Sequence, residues 1–100
     1  MSNKSLSKNA SRFLRGIGHD LSPLVTVADK GLTENVMHEI EIGLNHHEII
    51  KIKLRTDKES RKLHQDDILK NTGAVLIQAI GQTLTVYRRN QKKPIYELPK

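Results

Sequence analysis

The sequence predicts an α/β fold: a two-layer sandwich with the order α-β-α-β-α-β-β, in which helices cover one side of a mixed four-stranded sheet. Three observations predict it. Apolar residues recur at helical spacing over Leu6 to Ile17 and again over Leu32 to Leu44. The stretch Ile50-Lys51-Ile52-Lys53-Leu54-Arg55 alternates strictly, as a strand with one buried face must. Two apolar runs, Val75 to Ile80 and Thr83 to Tyr87, are separated by Gly81-Gln82, the spacing of a two-residue hairpin turn.

In the first helix Leu6, Ala10, Phe13, Leu14 and Ile17 gather on one side, and Lys4, Lys8, Arg12 and Arg15 form a cationic stripe on the other. Gly16 and Gly18 are read as its stop, and His19 to Pro23 as a loop. Leu24 to Ala28 reads as a short buried strand. Asp29-Lys30-Gly31 turns the chain, and Thr33 caps a second helix running to about Asn45. Leu32, Val36, Met37, Ile40 and Leu44 share its inner face with Gly43, where a neighbour can approach closely. Its outer face, with Asn35, His38, Glu39 and Glu41, is polar and acidic. A third helix is predicted from about Lys58 to Asn71, capped by Asp57 and ended at Gly73, on a thin apolar stripe of Leu63, Ile68 and Leu69. The segment 90–100 reads as a polar C-terminal tail in which Ile95 to Leu98 adds a short extended piece.

The 100 residues contain no cysteine, which excludes disulfides, thiolate metal sites and cysteine nucleophiles, and their number fits one domain, residues 1–100. Seventeen Lys plus Arg against eleven Asp plus Glu leave a net charge of +6, with a pI near 9.8. Residues 1–50 carry −1 and residues 51–100 carry +7, so a basic side and an acidic side are expected. An anion-rich partner follows, nucleic acid before membrane surface. Three aromatics, Phe13, Tyr87 and Tyr96, are too few for a sheet that stacks several bases. The polar, basic stretch Met1 to Lys8 and the lack of a long apolar run predict a soluble, cytoplasmic protein without a membrane contact.

His46-His47-Glu48 lacks the spacing of a metalloprotease helix, so exposed imidazoles closing a helix C-terminus are expected and no metal. His64 reads as a half-buried packing residue. Asp66-Asp67 diverge on a helix and find no nucleophile to serve, and Gly16-Ile17-Gly18 does not open a helix after a strand. No catalytic constellation, cofactor or small-molecule substrate is expected. The ordered cations remain: the first-helix stripe, Lys51, Lys53 and Arg55 on one strand face, and Arg88-Arg89 followed by Lys92-Lys93. With them stands the turn Ala28-Asp29-Lys30-Gly31, where backbone N–H groups, a helix N-terminus and the Lys30 ammonium can meet a phosphate. The same turn also reads as a plain strand-to-helix connection with Gly31 left-handed.

Leu21-Ser22-Pro23-Leu24-Val25, Gly31-Leu32-Thr33-Glu34, His46 to Lys53, Ile80 to Arg88 and Glu97-Leu98-Pro99 together resemble the YhbY family of bacterial CRM-domain proteins over nearly the whole chain. The resemblance implies an RNA-binding domain, related in fold to the C-terminal domain of translation initiation factor three, that acts in assembly of the large ribosomal subunit. It implies ribosomal RNA in subunit precursors as partner and a G-x-x-G loop falling on Ala28-Asp29-Lys30-Gly31; a monomer is expected. Here the first glycine of that loop is Ala28 and an acid follows it. The alternative reading is a protein-interaction module that docks a ribosomal protein or assembly partner on the acidic second helix.

Overall fold

A computed structural model describes residues 6–100. The chain forms α1 (Lys8–His19), β1 (Pro23–Val27), α2 (Glu34–His47), β2 (Ile49–Leu54), α3 (Lys58–Thr72), β3 (Val75–Ile80) and β4 (Thr83–Tyr87). The strands make one mixed sheet in the order β1-β2-β4-β3. β1 runs parallel to β2, and β4 pairs antiparallel with both β2 and β3. The α/β class, the element order and the mixed four-stranded sheet are those the sequence predicts.

The caps explain where the helices start. Ser7, Thr33 and Asp57 each sit in extended conformation and accept the N–H three residues on, from Ala10, Val36 and Ser60. Gly73, at φ 72°, ends α3 in the left-handed region that costs glycine little. Gly81, at φ 57°, opens the hairpin turn between β3 and β4.

The layers differ from the expectation that helices cover one side. Val25, Val27, Ile50, Ile52, Leu54, Leu84 and Val86 form the main core with Ile40, Leu44 and Ile68 of α2 and α3. On the opposite sheet face Ile49, Ile77 and Tyr87 pack against Leu14, with Leu6, Ile17, Tyr96 and Leu98 around them. So α2 and α3 cover one face, and α1 with the C-terminal segment crosses part of the other. The physical reason lies in β2 and β4, which are apolar on both faces at the Ile49–Tyr87 end. One helical layer cannot bury both sides.

Several local expectations are corrected by this packing. Gly16 and Gly18 do not stop α1. A Cβ at Gly18 would lie 3.0 Å from the Thr85 methyl, so the glycine serves close approach of helix to sheet, and the helix runs on to His19. β1 begins one residue earlier than expected, at the sheet edge, and leaves Leu24 51% exposed. α2 continues to His47, where Glu48 at φ 65° turns the chain into β2. Leu63 is exposed, so α3 rests on Ile68, Leu69 and Thr72. Ile95 to Leu98 joins no strand, and instead Tyr96 and Leu98 pack beside α1. Gly43 behaves as predicted, with a Cβ there reaching within 2.7 Å of Leu24 Cδ2.

Candidate nucleic-acid interface

α1 and α2 lie on opposite faces of the sheet, and this separates the charges. Glu34 and Glu39 are exposed on α2, and Asp66 and Asp67 on α3. Across the sheet Lys8 and Arg12 of α1 are exposed and Arg15 is half-buried. Steps of four and three place these three on one side of the helix, about 6 and 4.5 Å apart along its axis. His19, four residues beyond Arg15, continues the row.

His19 is where the helix stripe meets the strand lysines. It borders a shallow depression together with Lys51, Gln78, Ile80, Thr83 and Thr85. Lys51 pairs with Thr85, and Lys53 with Thr83 on one side and Thr26 on the other. Both lysines therefore stand on the face that α1 crosses, one pleat period apart, about 7 Å. They are half-buried along their stems, which orders them while their ammonium groups remain available. Arg55 follows at the end of β2, exposed, with its N–H held by the Val27 carbonyl at 2.7 Å.

That bond brings Arg55 to the sheet end where Ala28-Asp29-Lys30-Gly31 turns. The turn is closed by the Gly31 N–H donating to the Ala28 carbonyl at 2.8 Å, and the Thr33 N–H donates to the Gly31 carbonyl at 3.0 Å. Two of the N–H groups expected to face a phosphate are thus spent inside the loop. Lys30, fully outside the core, is its main cationic group. Gly31 needs its φ of 73°, and a Cβ added there would meet the His64 ring at 3.4 Å. Ala28 does not have positive φ, so the loop closes with a side chain at that position. His64 packs half-buried, as predicted.

Not every predicted residue joins this surface. Lys4 lies outside the described residues. Arg88 and Arg89 leave β4 at the sheet end opposite the Lys30 turn. Arg88 is a structural brace: its guanidinium bonds Glu41 at 2.9 Å, Asn45 Oδ1 at 2.9 Å and the Thr72 carbonyl at 2.9 Å. Arg89 is exposed beside it. The two ion pairs among the described residues, Arg88–Glu41 and Lys62–Asp66, involve none of Lys8, Arg12, Arg15, Lys30, Lys51, Lys53 or Arg55.

Sequence reasoning missed His19, which the heptad-like step from Arg12 and Arg15 would have found had the glycines not been read as a stop. It also missed Lys58 and Arg61 at the start of α3, which line a groove with Gly81 and Thr83 at the same end as Arg55. The rings share the α1 side but are engaged in packing: Tyr87 is buried in the cluster beneath α1, and Phe13 and Tyr96 pair edge to face at 6.3 Å. A surface so built can neutralise phosphates in rows but offers few rings to bases.

The chain is similar to proteins named for RNA binding. A relative from Haemophilus influenzae named "RNA-binding protein" is 41% identical over 97 residues, covering 96% of this chain and 97% of its own. A Pseudomonas aeruginosa relative, "Probable RNA-binding protein PA4753", is 38% identical over 89 residues, 88% of this chain and 86% of its own. The solution structure of a hypothetical protein from Staphylococcus aureus superposes with a TM-score of 0.78 at 26% identity, covering 95% of this chain and all of that one. Residues 6–88 match the family model described as the CRS1/YhbY (CRM) domain. The chain belongs to the CRS1/YhbY (CRM) domain family.

Proposed function

We propose that this chain is a non-catalytic RNA-binding protein that acts as a single, monomeric domain on ribosomal RNA in precursors of the large ribosomal subunit, in the cytoplasm. The observation that carries the reading is the row of unpaired cations on the α1 side of the sheet, Lys8, Arg12, Arg15, Lys51 and Lys53, leading to Arg55 and the Lys30 turn. The acids of α2 and α3 are held across the sheet from it. Neutralising a phosphate backbone releases counterions, and a row of mobile, unpaired cations is what such binding requires. Relatives named as RNA-binding proteins support the same partner. Among the described residues no helix is long and apolar enough to cross a membrane.

The test is sedimentation of a cell lysate through density gradients at low and high salt, followed by binding of the purified chain to naked ribosomal RNA. Travel with large-subunit precursors at low salt, release at high salt and salt-sensitive binding to naked RNA are expected. A chain that stays at the top of both gradients and ignores the RNA overturns the proposal. Docking of a partner on acidic α2 is disfavoured by the Arg88–Glu41 pair, which already engages one of its carboxylates.

A further inference from the structure

The segment after Arg89 lies beyond the residues matched by the family model, which ends at residue 88. It is nevertheless tied down at three places. Both carboxyl oxygens of Glu48 accept backbone N–H groups from it: Oε2 from Asn90 at 2.7 Å, and Oε1 from Ile95 at 3.0 Å and Tyr96 at 3.2 Å. Tyr96 and Leu98 then pack in the second cluster with Leu14 and Ile17 of α1. Finally Asn9 Nδ2 donates to the Lys100 carbonyl at 3.0 Å, so the segment ends against the first turn of the helix.

Glu48 is unusual in two ways. Its side chain is fully buried, and it holds φ 65° and ψ −42°, a conformation that non-glycine residues seldom adopt. A turn alone would be made more easily by glycine. The side chain is what glycine cannot supply, since burial of a carboxylate is tolerable only when donors surround it, and here three N–H groups do.

From this we infer that Glu48 is a positioning residue for RNA binding: it anchors residues 90–98 as a strap that clamps α1 to the sheet and so holds the Lys8–Arg12–Arg15 row in line with Lys51 and Lys53. The inference rests on the RNA-binding reading. Helix α1 otherwise rests on the sheet through Leu14 and Ile17, with Gly18 against Thr85. The strap supplies the second wall, with Phe13 against Tyr96 at 6.3 Å.

Glu48→Gln replaces one carboxyl oxygen by an amide that meets a backbone N–H with another donor. Tyr96→Ala loosens the strap without touching the strained turn. For both variants, hydrogen exchange read amide by amide is expected to speed up in α1 while β2 and α2 keep their protection. Binding is then measured by fluorescence anisotropy on a ribosomal RNA hairpin. In the unmodified chain, Arg12→Ala with Arg15→Ala is expected to weaken binding by about 60-fold at ~0.1 M salt, from the loss of two phosphate contacts. In the Tyr96→Ala background the same pair is expected to cost under about threefold, since contacts that are already misplaced cannot be lost twice. Equal losses in both backgrounds, or unchanged exchange in α1, overturn this inference and leave the RNA reading intact. Absence of hairpin binding by the unmodified chain overturns the RNA reading and the positioning role together.

Discussion

Removing Lys51 and Lys53 together tests the interface at its centre. Both stand on β2 between β1 and β4, with Lys53 opposite Thr26 and Thr83 and Lys51 opposite Thr85, and among the described residues neither is in an ion pair. A cation seated on a duplex phosphate contributes about 0.9 to the slope of log K against log salt, so losing two lowers that slope by about 1.8 and weakens binding about 60-fold at ~0.1 M salt. No ion pair among the described residues is lost, and trimming two half-buried stems from a central strand is expected to cost up to about 1 kcal/mol at each site. The assay is a salt titration of RNA affinity for the unmodified chain and Lys51→Ala/Lys53→Ala, with Lys70→Ala as a control on α3, across the sheet. A slope that stays the same in the double variant while thermal unfolding is unchanged refutes the assignment. Equal slope losses in the double variant and the Lys70 control refute the directed surface and leave only net charge.

Three further outcomes follow from the packing. Arg88→Ala removes bonds to Glu41, Asn45 and the Thr72 carbonyl; it is expected to destabilise by about 1–3 kcal/mol with little change in salt slope, as read by denaturant unfolding beside RNA titration. Burial, with the charge of Glu48, raises the Tyr87 hydroxyl above its usual 10.0, and that hydroxyl is buried with no hydrogen-bond partner among the described residues. The folded state holds this proton more tightly than the unfolded chain does, so its contribution is present below pH 10 and is lost as pH rises further. Tyr87→Phe is expected to preserve or raise stability at neutral pH and to flatten the alkaline loss in thermal melts. The Ser60 N–H bonded to Asp57 at 2.8 Å holds that carboxyl below its usual 3.8. The cap is therefore present above about that pH and fades as pH falls through the lowered value. Asp57→Ala is expected to lower stability at neutral pH, and Asp57→Asn to retain most of the cap, as measured by urea unfolding.

The sequence made the strands and caps legible because their signals are local. Thr33 and Asp57 announce helix starts, and Ile50 to Arg55 shows its period without help from the rest of the chain. The layer assignment failed where two signals had to be read together. Ile49 beside Ile50, and Tyr87 beside Val86, place apolar groups on both faces of one sheet end, which requires a cover on each. Gly18 looks like a helix stop until Thr85 is known to sit 3.0 Å from where its Cβ would be. For the interface, the three cation rows were visible, but not which of them converge. Arg88 reads like its neighbour Arg89 in sequence, and only the fold brings it to Glu41, Asn45 and Thr72. In sequence Glu48 continues the polar run of His46 and His47, and its three partners lie more than forty residues away.

The strand order has a consequence for how the molecule comes into being. β4, the final strand, inserts between β2 and β3, so a growing chain that has emerged only to Ile80 holds β2 without its inner neighbour. Lys51 and Lys53 are then present as charges, but on a strand whose one side is unpaired and whose spacing is not fixed. The Thr85 methyl on which α1 rests is missing as well, and so is the Glu48-bound segment that follows. Most of the net charge arrives together with the geometry, since residues 1–82 sum to +2 and residues 83–100 add the remaining +4. A product cut short before Thr83 would therefore carry little net charge to attract RNA and lack the aligned row, which makes the completed chain the first species able to compete for a specific site.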